Sequence, residues 1–391
     1  MKVSVIGQGY VGLPLAIAAT QAGHTVAGID NEQNLIKKLQ SGKTTIGDLT
    51  DLQIATAIAS GRYMPTDDFE SVATSEVILI CVPTPLDTKK KPDLSFLLGA
   101  LNSIAENMQP GTLIINESTV SPGTTRGLIK ETLDKAGIPY ELAYSPERID
   151  PANKKWTVTN TPKLVAGLTS AATERAAAFY KTFVDSVTIG SSPEVIETAK
   201  LLENSFRLVN ISFVNEIAQF CAAMGIDVRE VVDAAATKPY GFMPFYPGAG
   251  VGGHCIPVDP SYLVSKAQEM GVPTRFIDLA NDLNQSLPSY FTGVATGILG
   301  GLKGKKILVI GVAYKPEVAD VRETPAEGLI QQLRAKGADV SWHDELVQEW
   351  NGEKSVGLSS NFDLAILVNP HSNADLNALG STQILNTRGG Y

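Results

Sequence analysis

Cysteine is scarce: Cys81, Cys221 and Cys255 are the only three in 391 residues. Thiols so few and so far apart exclude a disulfide framework and fit a reducing compartment. The four histidines are scattered as well, so no zinc-ligand spacing exists and no metal is expected. Basic residues are the minority charge. Against 41 Asp and Glu stand 32 Lys and Arg, a net charge of -9. That balance argues against general nucleic-acid binding and leaves room only for a local basic pocket that takes phosphates. No apolar run is long enough to span a bilayer. The opening MKVSVIGQGYVG enters a strand and a glycine turn, with no leader-peptide pattern. The expectation is a cytoplasmic protein without nucleic-acid or membrane partners, and too long for a single core.

What is present begins with KVSVIGQGYVGLPLAIAATQAGHTVAGID. A β-rich run turns through Gly7, Gly9 and Gly12 into an alanine-rich helical pattern, and a second strand ends at Asp30. This is the strand–turn–helix–strand–acid layout that binds a dinucleotide. Gly7 permits the tight turn, Gly9 lets backbone approach a pyrophosphate, and Gly12 lets the helix pack closely. The helix N-terminus faces the phosphates, and Asp30 is placed for the ribose hydroxyls. The following DNEQN carries no arginine for a 2′-phosphate, so NAD is expected over NADP.

Further strands, SEVILICVPTP and GTLIINESTVSPGTT, end in polar turns that bring Pro83, Thr84 and Thr119 beside the cofactor. ELAYSPERID delivers Glu147 and Arg148 to the same edge. Cys81 reads as core, and so does Cys221. Residues 193–224 contain no internal glycine or proline and predict one helix of roughly 45 Å. Lys200 and Asn204 lie four apart on one of its faces, where burial is costly unless a ligand or charge meets them. The loop KPYGFMPFYPGAGVGGHCIPVDP then sets Cys255 among glycines and prolines, and helix follows. The last third repeats the strand–turn–helix–strand plan, with GVAYKP in place of the glycine triad. Lys315 and Arg322 in that turn suit diphosphate recognition. His343 and His371 show no supported role and are expected to be surface or structural. Trp156, Trp342 and Trp350 show no stacking pattern.

Taken together, GQGYVG, the PTP turn, NESTVSPGTT, SPER, AKLLENSFR, GGHCIPVDP and GVAYKPEVADVRETP closely resemble the UDP-glucose/GDP-mannose dehydrogenase family. They follow the family's order nearly end to end. The resemblance implies an α/β fold of two Rossmann-like doubly wound domains joined by a long central helix and a helical middle region. It divides the chain into an NAD-binding domain at 1–190, a central helical domain with the cysteine loop at 191–298 and a UDP-sugar-binding domain at 299–391. It implies a four-electron oxidation with two NAD used in turn, on a homodimer built about the long helix. Cys255 resembles the nucleophile, with Lys200, Asn204 and Asp259 about it and with Thr119 and Glu147 positioning water and cofactor. Gly7, Gly9, Tyr10, Val11, Gly12, Asp30, Pro83, Thr84, Thr119 and Arg322 match cofactor positions. Glu147, Arg148, Lys200, Asn204, Gly250, Gly252, Tyr314 and Lys315 match positions around the UDP-sugar.

The chemistry asks for these residue types. A thiolate captures the aldehyde of a first oxidation as a thiohemiacetal, which a second oxidation converts to a thioester that water opens. Lys200 either takes the alcohol proton or steadies an oxyanion, and either carboxylate, Glu147 or Asp259, could serve the water. A His254–Cys255 dyad is rejected, because adjacent loop side chains diverge. Val258 and Pro151 stand where the glucose branch has lysine and glutamate, so the N-acetylhexosamine branch is favoured. Within it UDP-N-acetylglucosamine is placed first and UDP-N-acetylmannosamine a close second, with a surface polysaccharide as the destination. The rivals are a UDP-glucose 6-dehydrogenase, a two-electron hydroxyacid-type dehydrogenase and a non-catalytic nucleotide-sugar binder.

Overall fold

The structure is a computed structural model that describes residues 1–150, 152–253 and 255–389. Pro151 and His254, on which two of the readings above fall, lie outside the described residues. The chain divides into two compact units, Met1–Leu202 with Ser261–Met270, and Glu203–Pro260 with Gly271–Tyr391.

The first unit opens with β1 (Lys2–Ile6), α1 (Gly12–Gln21), β2 (Thr25–Ile29), α2 (Gln33–Gln40), α3 (Asp51–Ala59) and β3 (Tyr63–Thr66). It continues through β4 (Val77–Ile80), α4 (Ser95–Asn107), β5 (Leu113–Asn116), α5 (Lys130–Leu133), β6 (Glu141–Tyr144), β7 (Lys163–Gly167), α6 (Ser170–Tyr180) and β8 (Val187–Ile189). The strand order is β3-β2-β1-β4-β5-β6-β7-β8. Only the β6–β7 pairing is antiparallel. The first six strands therefore have the doubly wound dinucleotide order. Side chains alternate between faces, as a strand's two-residue period requires. Val3, Val5, Leu79 and Ile115 pack with α1, α3 and α6 on one side. Ile6, Ile78, Ile80 and Ile114 pack with α4 on the other. With both faces covered, ligand access is left to the strand ends. β1, β4, β5 and β6 all run parallel, so Gly7, Pro83, Thr119 and Glu147 emerge at one edge.

The long helix α7 spans Pro193–Met224, as its lack of glycine and interior proline predicts, and the boundary between the units falls inside it. After it come α8 (Val228–Ala236), α9 (Asp259–Glu269) and α10 (Arg275–Leu299). α10 runs through Pro288 even though proline removes one backbone donor from the ladder. The second unit closes with β9 (Lys306–Ile310), α11 (Pro325–Ala335), β10 (Asp339–His343), β11 (Glu349–Trp350), β12 (Glu353–Lys354), β13 (Leu364–Leu367) and β14 (Gln383–Asn386). Its main sheet is parallel, in the order β10-β9-β13-β14. Leu287 and Phe291 of α10 and Leu329 and Leu333 of α11 cover one face, against Ile307, Val309 and Ile366.

Two details correct or refine the sequence reading. Trp342 and Trp350 are paired edge to face, with ring centroids 6.0 Å apart and an angle of 77°. The stacking was invisible in sequence because the chain doubles back between them. His371 is buried and hydrogen-bonded, so its role is structural and not that of a surface residue.

Candidate active site

In the first unit the three glycines of the opening turn are needed for three different reasons. Gly7 has a φ of 91°, and a side chain there would press within 2.5 Å of the Cys81 carbonyl oxygen. Gly12 begins α1, and a Cβ on it would overlap the Gly7 carbonyl oxygen, so the helix sits directly on the turn. Gly9 is exposed and has open space where a Cβ would be. A bare backbone facing open space, at a helix N-terminus with no side-chain cap, fits a pyrophosphate. Asp30 lies just past β2, with Oδ2 accepting from the Gln8 N–H at 2.7 Å and Oδ1 from the Glu32 N–H at 3.0 Å. The residues present therefore fit a dinucleotide.

Gln8 is the member of this turn that sequence reasoning missed. It is fully buried, donates to the Val5 carbonyl at 2.8 Å and accepts from the Tyr63 hydroxyl at 2.8 Å. Burial, with Asp30 nearby, pushes the Tyr63 hydroxyl pKa up, so Tyr63 stays a donor. Beyond β4, Thr84 is buried and its carbonyl accepts from the Tyr262 hydroxyl at 2.9 Å, while Pro83 is exposed. Tyr10, Val11 and Thr119 are half-buried.

Behind the SPER turn lies a buried charge cluster that the sequence did not announce. Glu117 sits past β5 with its carboxylate on Lys163 and on the Tyr180 hydroxyl. Lys163 also donates to the Pro146 carbonyl at 3.1 Å, and the Glu147 N–H donates to the Glu117 carbonyl at 3.3 Å. Burial pushes the Glu117 carboxyl above its ordinary range, with Lys163 opposing. The cluster thus fixes the backbone that presents Glu147, which stands 3.6 Å from Lys200. Both of those residues are buried. Arg148 donates to the Pro162 carbonyl at 2.7 Å. Glu197, one turn before Lys200 on α7, accepts from the Gly123 and Thr125 N–H groups at 2.6 and 2.9 Å. It pins the NESTVSPGTT loop to the helix.

In the second unit Asn204 donates from Nδ2 to Asp259 Oδ2 at 2.5 Å, both residues being buried. Asp259 is the first residue of α9, and its N–H donates to the Cys255 carbonyl at 2.8 Å. Cys255 is half-buried in the turn entering that helix. Val258 is buried in the same turn. The glycines before it are pressed against protein. A Cβ on Gly252 would lie 2.6 Å from the Glu323 carbonyl oxygen, and one on Gly253 2.7 Å from the Tyr314 ring. The Gly253 N–H donates to the Arg322 carbonyl at 3.0 Å, and Gly250 has a φ of 138°. Tyr314 and Lys315 are half-buried in the turn after β9. Arg322 is exposed, with its guanidinium on both oxygens of Asp320 at 2.6–3.0 Å. Cys81 and Cys221 are buried, and burial raises the Cys81 thiol pKa well above normal, consistent with packing roles.

A doubly wound sheet whose first turn fits a dinucleotide puts the first unit in the class of dinucleotide-binding Rossmann domains. Comparison with known proteins makes this specific. Residues 1–184 match the NAD binding domain of the UDP-glucose/GDP-mannose dehydrogenase family, 194–286 its central domain and 308–375 its UDP binding domain. The chain belongs to that family. A UDP-N-acetyl-D-mannosamine dehydrogenase of Pyrococcus horikoshii is 34% identical over 357 residues, covering 89% of this chain and 84% of that protein. A UDP-N-acetyl-D-glucosamine 6-dehydrogenase of Pseudomonas aeruginosa is 35% identical over 371 residues, covering 92% and 86%. The solved structure of a UDP-D-ManNAc dehydrogenase from P. horikoshii superposes with a TM-score of 0.91 at 30% identity, covering 99% of this chain and 95% of that one.

Proposed function

We propose that this chain oxidises the C6 alcohol of a UDP-N-acetylhexosamine to the uronic acid through a covalent intermediate on Cys255. The observation that carries the reading is the buried Asn204–Asp259 pair, whose aspartate starts a helix four residues after the cysteine. A thiolate there is favoured by the aligned peptide dipoles of that helix. NAD, when bound, accepts a hydride, and the reaction delivers two in succession. The balance is R–CH2OH + H2O → R–COO⁻ + 2 H⁻ + 3 H⁺.

Loss of the first hydride and the hydroxyl proton leaves an aldehyde, with Lys200 taking that proton or steadying the oxygen. The Cys255 Sγ adds to the carbonyl carbon, and Asn204 donates to the resulting oxygen. Loss of the second hydride gives the thioester. Water ordered by Glu147 and Thr119, with Asp259 beside the thiol, then adds to the carbonyl, the C–S bond breaks and the thiolate returns. Gly7, Gly9, Tyr10, Val11, Gly12, Asp30, Pro83, Thr84 and Arg322 hold the cofactor. Arg148, Gly250, Gly252, Tyr314 and Lys315 hold the nucleotide-sugar. Three domains at 1–190, 191–298 and 299–391 suit this division of labour, and each family match falls within one of them.

Val258 supports the N-acetylhexosamine branch, because a lysine would be expected there in the glucose branch. Relatives named for either epimer match at 34% and 35% identity, which favours neither sugar. The acid product suits a surface polysaccharide precursor made in the cytoplasm, and no helix of the described residues is long and apolar enough to cross a membrane. A homodimer through α7 is supported by exposed Val195, Leu202, Phe206, Phe213, Phe220 and Met224. At 100° per residue these fall within about 40° of the helix circumference.

The test is acid-quenched turnover with UDP-N-acetylglucosamine, UDP-N-acetylmannosamine and UDP-glucose, followed by mass analysis of the Cys255 peptide. A sugar-nucleotide adduct with an N-acetylhexosamine is expected, and the faster epimer identifies the substrate. Full turnover by Cys255→Ser without an adduct would return the chain to the two-electron dehydrogenases. Binding without any NADH would make it a nucleotide-sugar binder.

A further inference from the structure

The buried His371 and Asp344 lie outside the chemistry assigned above, yet they converge on the turn that carries Lys315. His371 Nδ1 accepts from the Glu317 N–H at 2.8 Å, so the ring's proton sits on Nε2 and is donated to Asp344 Oδ1 at 2.9 Å. Asp344 Oδ2 accepts from the Ala313 N–H at 3.0 Å. Its Oδ1 also accepts from the Leu346 and Val347 N–H groups, each at 2.9 Å. Asn369 donates to the carbonyls of Ala313 and Tyr314, each at 3.1 Å, and its Oδ1 accepts from Arg388 at 3.0 Å. Glu317 holds a left-handed backbone with a φ of 66°, and its carboxylate accepts from the Ser372 N–H at 2.7 Å. A non-glycine residue keeps such a conformation only where its surroundings impose it.

Asp344, Glu345 and His371 could by distance hold a cation, since their ligand atoms lie within 4.8 Å of one another. The hydrogen bonds decide against it. Both ring nitrogens of His371 and both oxygens of Asp344 are already committed to the protein. Burial works against the charged form of Asp344, but the His371 hydrogen bond and three backbone N–H groups outweigh it and hold the carboxyl below its ordinary range. The anchor is therefore a charged carboxylate, and the imidazole, whose pKa is raised by its hydrogen bond to Asp344, relays that hold to the far end of the turn.

We propose that His371, Asp344 and Asn369 are positioning residues that pin residues 313–317 in the shape required to receive the nucleotide diphosphate at Lys315. The proposal rests on the reading that this turn binds the UDP end of the substrate. Three backbone groups at the start of the turn and one at its end are held, and the lysine lies between them.

The experiment measures UDP and NAD affinity by calorimetry on the full chain, with KM and kcat beside them. His371→Leu should weaken UDP binding about ten-fold, the loss that ~1.4 kcal/mol represents, and raise KM for the UDP-sugar alike. NAD affinity should not change. His371→Gln, which can accept from Glu317 and donate to Asp344, should restore most of the loss. Should His371→Leu fail to fold, Asn369→Ala is expected to show the same split. UDP affinity unchanged in a folded variant, or UDP and NAD affinity falling together, would overturn the brace. Lys315→Met separates the two claims. If it leaves UDP binding intact, the underlying reading of the turn fails. If it weakens UDP binding while the brace variants do not, only the brace fails.

Discussion

Replacing Lys163 by methionine removes a buried ammonium and keeps nearly the same stem. In the native fold that ammonium meets the Glu117 carboxylate and the Pro146 carbonyl, and it lies 5.2 Å from the centre of the Tyr180 ring. The variant leaves Glu117 buried with its cation gone, and breaking such a pair costs about 3–5 kcal/mol. For a unit of this size each kcal/mol moves the melting temperature by about 2–4 °C, so a fall of about 6–20 °C is expected. Calorimetry identifies the relevant transition, because NAD raises the melting temperature of the unit that binds it. Glu117 gives the effect a pH signature. Burial raises its folded pKa above the unfolded value, so the charged form is penalised above the folded pKa and the penalty fades as pH falls through it. The deficit of Lys163→Met should therefore shrink on acidification. The Glu117→Met/Lys163→Met double variant should recover most of the stability, since apolar groups replace a buried ion pair at little cost. A single variant that melts within 2 °C of the parent, or a double variant no better than the single, would refute the reasoning.

Two further outcomes follow from the geometry. Gly9→Ala meets open space and should melt like the parent while losing NAD affinity at least ten-fold; Gly12→Ala overlaps the Gly7 carbonyl and should lose both. Equal melting losses in thermal denaturation with and without NAD would contradict the separate roles. Phe213→Glu with Phe220→Glu places two charges in the exposed apolar stripe of α7 and should turn the proposed dimer into a monomer in sedimentation. An unchanged mass would remove that helix from the interface.

The fold was legible where local rules act. The Gly7–Gly9–Gly12 turn, Asp30 at a strand end and an unbroken run from 193 to 224 each follow from backbone sterics or helix propensity. Cys255 stood out because glycine and proline isolate it. Gln8, Glu117, Lys163, Glu197 and the His371–Asp344 pair did not stand out. Their meaning lies in partners far along the chain, 55 residues from Gln8 to Tyr63 and 46 from Glu117 to Lys163. No local period or spacing encodes such pairs. Pro288 shows the opposite case: the local rule argues for a helix end, and the apolar contacts of Leu287 and Phe291 on either side override it. Gly250 and Gly252 match positions around the UDP-sugar in the sequence. In the described structure Gly252 and Gly253 are filled by Tyr314 and Glu323, so their bareness also serves close packing.

The central claim is a four-electron oxidation through Cys255, and the most direct test is the ratio of NADH formed to UDP-N-acetylhexosamine consumed. The account predicts two NADH per sugar, with Cys255→Ala unable to complete the second oxidation. One NADH per sugar in the parent enzyme, or a ratio of two that survives Cys255→Ala, would contradict it.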